Sequence, residues 1–146
     1  MNLISEVELQ QHKKTMLSLL DAVGEAQLRD TGSEDATRAL EAETNAPLDP
    51  PFATAFFRYE EIYERRGARW ELVDYYYEFQ QRPGPGRRAH HSHDGPHQHC
   101  VDPRAPGVDH HYVGGVMTLF DAHREFLYWY GTEQPVSCTG LTPLFG

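Results

Sequence analysis

Residues 53–80 read ATAFFRYEEIYERRGARWELVDYYYEFQ, and the fold class turns on whether this stretch is helix or strand. Its first part, 53–64, is short enough for either. Phe57, Tyr59, Glu61 and Tyr63 alternate with Phe56, Arg58, Glu60 and Ile62, and aromatic residues suit a pleated surface, so a strand is favoured. Residues 69–80 alternate more clearly. Val73, Tyr75, Tyr77 and Phe79 fall on one face, and Trp70, Leu72 and Tyr76 on the other. With Arg65-Arg66-Gly67-Ala68 as the turn, the two runs predict an antiparallel hairpin.

Beyond the hairpin, Arg82-Pro83-Gly84-Pro85-Gly86 is a turn, because Pro-Gly pairs punctuate the chain. Residues 87–93 are expected to return as a third strand. Asp94-Gly95-Pro96 turns the chain again, and His97 to Val101 forms a fourth. A Pro- and Gly-containing loop over 102–110 leads to a short strand or edge from His111 to Val116. Thr118, with Asp121 three positions on, starts a helix that runs to about Tyr130 and ends at Gly131. Leu119, Phe126, Leu127 and Tyr130 are among its packing residues. The tail 132–146 reads as loop, with Leu141, Leu144 and Phe145 available to dock.

On the N-terminal side, Ile4, Val7, Met16, Leu19, Leu20, Val23 and Ala26 recur at three- and four-residue steps, which predicts a helix over 3–29. Ser5 and Glu8 form a capping-box pattern at its start. Asp30-Thr31-Gly32-Ser33 breaks it. Ser33, followed by Glu34 and Asp35, is expected to open a second helix to about Glu43. Residues 45–51 hold three prolines and read as a linker. The whole is an α+β chain: N-terminal helices, an antiparallel sheet of about four to five strands, and a C-terminal helix packed on the sheet. It divides into an N-terminal helical extension, 1–46, and a histidine-rich α+β domain, 47–146.

The chain has 146 residues and a formal net charge of −9. The first fifty residues hold ten acids against four Lys or Arg, so a protein partner is expected on the acidic N-terminal helices. A general nucleic-acid binder is basic, so any such role rests on a local patch. The two cysteines, Cys100 and Cys138, make no disulfide framework and are read as reduced. The N-terminal stretch has early acids and no long apolar run, so no signal peptide is expected. No segment approaches 18 consecutive apolar residues, so no membrane span is expected, and a cytoplasmic location is the default.

Chemistry concentrates in residues 87–111, RRAHHSHDGPHQHCVDPRAPGVDHH. Seven of the nine histidines lie there: His90, His91, His93, His97, His99, His110 and His111. Cys100, Asp94, Asp102 and Asp109 are interleaved. Imidazole titrates near neutral pH and ligates metals, so the cluster suits proton transfer or metal binding. Strand alternation places His91 with His93 and His97 with His99, and facing strands would gather the four rings on one surface.

Two chemistries follow. In the first, His97 and His99 act as an acid–base pair that cleaves a phosphodiester of RNA without metal. Arg87, Arg88 and Arg104 bind the phosphate, and His91 and His93 support the pair. In the second, His91, His93, His97, His99 and Cys100 supply ligands to Zn2+ or another transition metal, in a binding protein or a metallohydrolase. A non-enzymatic protein-interaction module is the remaining alternative.

Tyr75-Tyr76-Tyr77-Glu78-Phe79, Arg87-Arg88, His90-His91, Pro96-His97-Gln98-His99 and Thr118-Leu119-Phe120-Asp121 occur in an order that resembles the TumE-type toxins of bacterial toxin–antitoxin pairs. The resemblance runs from Trp70 to about Phe126. It implies a ribonuclease-like toxin, with the histidines and the preceding arginine as functional positions and an antitoxin as partner.

Overall fold

The computed structural model describes residues 3–32, 36–104, 110–132 and 134–144, and only the backbone of His110. The expected helix start at Ser33 to Asp35, Asp109 in the loop, and Phe145 in the tail lie outside these residues. The described elements are β1 (Leu3–Ser5), α1 (Glu6–Asp21), β2 (Ala26–Asp30), β3 (Thr37–Pro47), β4 (Thr54–Arg66), β5 (Arg69–Arg82), β6 (Arg87–His91), β7 (His97–Val101), β8 (His110–Val113) and α2 (Leu119–Thr132).

All these strands join one antiparallel sheet in the order β2-β3-β4-β5-β6-β7-β8. β5 is its spine. It pairs along its length with β4, and on its other edge with β1 and then with β6. The expected hairpin is therefore the centre of the sheet, with Gly67 at positive φ in the turn. A bulge sets Ile62 and Tyr63 opposite Asp74 and Leu72 and leaves Val73 out of register. Alternation changes phase there. That is why Trp70 is buried with Tyr75, Tyr77 and Phe79, and not on the opposite face as unbroken alternation predicts.

The sheet is larger than the four to five strands expected, and the N-terminal helical reading is corrected. The predicted helix over 3–29 is helical only in α1; β1 precedes it and β2 follows. The predicted second helix is strand β3. Arg38, Leu40, Ala42, Thr44 and Ala46 are buried, while the residues between them face outward or are half-buried. This two-residue period, paired with β4 over eleven positions, overrides the helix propensity of Ala, Leu and Glu. Residues before 47 thus add strands to the same sheet instead of forming a helical extension.

Both helices cover one face. Leu9, Met16 and Leu20 of α1 and Leu119, Ala122 and Phe126 of α2 share a core with Phe57, Tyr59, Tyr77 and Phe79. Ser5 and Glu8 form the expected capping box, and Thr118 Oγ1 accepts from Asp121 N at 3.1 Å. Several buried polar groups on this face are paired. Glu61 accepts from His12 at 2.6 Å, Tyr63 at 2.7 Å and Tyr77 at 2.5 Å. Arg38 bridges Asp30 and Glu6. The tail returns to the sheet: Gln81 binds Gln134 O and Val136 N, and Val113 N donates to Thr142 O.

The cysteines, expected to be reduced, form a disulfide. Cys100 of β7 and Cys138 of the tail have Cα atoms 5.9 Å apart. No described helix is long and apolar enough to cross a membrane.

Candidate metal centre

The face of β6, β7 and β8 turned away from the helices carries the imidazoles. The tight turn between β6 and β7 sets the register. Asp94 and Gly95 have positive φ, and Gly95 N donates to Ser92 O at 3.1 Å. A left-handed residue suits Asp and Gly here. This turn places His91 opposite His97 and Ala89 opposite His99. The next pairing places His111 opposite His99. Alternation then aligns His91, His97, His99 and His111 on one surface.

Ligand nitrogens of His91, His97 and His99 all lie within 4.8 Å of one another. The closest approach is His97 Nε2 to His99 Nε2, 3.0 Å. His97 Nδ1 donates to Gly95 O at 2.8 Å. In neutral His97 this leaves Nε2 as a bare lone pair aimed at His99. Tetrahedral zinc, with Zn–N of about 2.0–2.1 Å, separates its ligand nitrogens by about 3.3–3.4 Å. The His97–His99 spacing is already within a few tenths of an ångström of that, and a ligand nitrogen of His91 lies within 4.8 Å of both.

His99 is 8% exposed, His91 and His97 are half-buried, and His111 is exposed. Burial holds the pKa of His91 below the ordinary imidazole value, with His97 and His93 acting in the same direction against Asp74 and Asp94. A lowered pKa favours the neutral, ligating form.

Other candidate residues are distributed differently. β6 ends at His91, so His93 falls in the turn, stacked on His91 at 5.7 Å and within 3.5 Å of Asp94. Cys100 faces the core and is held in the disulfide, which removes it from the expected ligand set. Arg87 lies on the imidazole face and donates to Glu78 at 2.6 Å. Arg88 lies on the opposite face, where it binds Glu125 of α2 and Gln98. Arg104 pairs with Asp102 at 2.7 Å.

Two features escaped the sequence reading. His111 joins the imidazole face; its only signal was the adjacent His110-His111 pair, one of which must face each way in a strand. Glu125 forms an inner cluster with Arg88 and His90. Burial alone would raise its carboxyl, but His90 and Arg88 hold it below the ordinary value. No protein-family model, curated protein or solved structure matches this chain.

Proposed function

We propose that this protein binds one divalent transition-metal ion, with Zn2+ as the reference case, through His91, His97 and His99. The observation that carries the reading is the 3.0 Å approach of two Nε2 atoms, with His97 oriented by a backbone carbonyl. Two ring nitrogens at that distance cannot both carry a proton. They share either one proton or one cation, and a third imidazole nitrogen within 4.8 Å favours the cation.

The same spacing weighs against in-line cleavage of RNA by His97 and His99. An acid and a base must flank a phosphate, and 3.0 Å leaves no room for one between them. Arg87, Arg88 and Arg104 each already hold a carboxylate. Among the described residues, cavities lie against β2, β3 and β4 and between the helices. A cytoplasmic location loses the support of reduced cysteines, because Cys100 and Cys138 are joined.

The test is metal analysis of untagged protein, paired with thermal unfolding with and without Zn2+. One equivalent of metal and a raised Tm are expected. At a hundredfold excess over Kd the stabilisation is about 2.7 kcal/mol. His97→Ala and His99→Ala remove the rise, and His12→Asn, on the other face, keeps it. No metal and no Zn2+-dependent shift in the wild type would overturn the proposal.

A further inference from the structure

We infer that His111 completes this centre as a fourth imidazole ligand, so that the site is an all-histidine one whose last position opens and closes. The inference rests on the metal-binding reading above. His111 sits directly opposite His99 across the β7–β8 ladder. Its ring centroid is 4.2 Å from that of His99 and 5.5 Å from that of His97. It is nearer to His99 than is either His91, at 6.1 Å, or His97, at 4.8 Å.

The backbone that carries this side chain is held on both edges of β8. His111 O accepts from Leu144 N at 3.0 Å, and Val113 N donates to Thr142 O at 2.7 Å, so the tail clamps the outer edge of β8. On the inner edge, a Cβ at Gly114 would lie 3.0 Å from the His97 carbonyl carbon. Glycine therefore lets the end of β8 approach the start of β7 closely. The exposed His111 ring has no hydrogen bond or ion pair among the described residues. Turning it toward the cluster breaks no hydrogen bond, though it shifts the ring contacts with His97 and His99.

Four imidazoles and no carboxylate define the ligand class. Neutral nitrogen donors suit Zn2+, Cu2+ and their neighbours, whereas Mg2+ and Ca2+ require oxygen. With His111 engaged, all four tetrahedral positions are filled by imidazole. With His111 turned out, one position faces water, which gives the ion a route in and out.

The test uses the full chain, Zn2+ for affinity and Co2+ for its visible spectrum. His111→Ala should still bind one ion, but at least about tenfold more weakly, the loss that removing even a supporting partner of a ligand causes. Its Co2+ spectrum should change, and added imidazole should restore it by filling the vacant position. Circular dichroism checks that the variant folds. If wild type binds Zn2+ but His111→Ala binds it equally well with an unchanged Co2+ spectrum, the fourth-ligand inference falls and the three-histidine reading stands. If wild type binds no metal, both fall.

Discussion

The two faces of this sheet hold histidines of opposite kinds. On the helix-covered face each described ring hydrogen-bonds a side chain of another type: His12 with Glu61, His90 with Glu125, His123 with Tyr59. On the other face His91, His97, His99 and His111 have mainly one another. An inner histidine hydrogen-bonds a side chain of another element inside the fold, so it is committed to holding the chain together. An outer histidine presents nitrogen to nitrogen, an arrangement that gains little until a cation joins it. The difference separates what stabilises the chain from what the chain can bind.

The largest effect that sharpens this contrast is expected at Glu61. Its buried carboxylate accepts from three side chains. Glu61→Ala leaves His12, Tyr63 and Tyr77 unpaired in the core and should cost about 3–5 kcal/mol in urea unfolding. A loss below 1 kcal/mol would place that network outside the stability of the fold.

The disulfide comes next. It closes a separation of 38 residues, and Cys138→Ser should cost about 2–4 kcal/mol. Cys100 faces the core while its neighbour His99 faces the imidazoles, so the variant should still bind Zn2+ when folded. Loss of all Zn2+ affinity in a folded variant would join two faces that this account keeps apart.

The faces should also respond to pH with opposite sign. The Glu61 carboxylate beside it raises the pKa of His12, against the effect of burial. The stability from that pair is fully present below the ordinary imidazole value, about 6.5. It is lost as pH rises through the raised folded value. His12→Asn should flatten the fall in apo stability on that alkaline limb. At the outer face protons compete with metal, so Zn2+ affinity should instead rise with pH, and for His91, whose pKa burial lowers, that rise falls below the ordinary imidazole value. Equal slopes in both measurements would contradict the contrast.

The smallest effect is expected from the outer rings without metal. His111→Ala should change apo stability by no more than about 0.5 kcal/mol, as surface changes usually do.

The central hairpin and the Asp94-Gly95-Pro96 turn were legible because alternation and turn chemistry agree there. β3 was not. Its Ala, Leu and Glu are good helix formers, and its buried face includes Arg38, whose partners Asp30 and Glu6 come from other elements. The disulfide joins β7 to the tail, a pairing that two isolated cysteines do not announce. His91, His97 and His99 were readable from strand alternation across a recognisable turn. His111 was not singled out, since its register with β7 is set across a loop without a comparable turn signature. His93 was misplaced because Ser92 bonds back to Tyr75 N at 2.8 Å as the chain leaves the strand at His91.

X-ray absorption of the untagged, zinc-loaded protein tests the central claim most directly. The expected result is a first shell of nitrogen near 2.0 Å, the multiple-scattering pattern of at least three imidazoles, and no sulfur. A sulfur shell, or oxygen with no imidazole scattering, would contradict it.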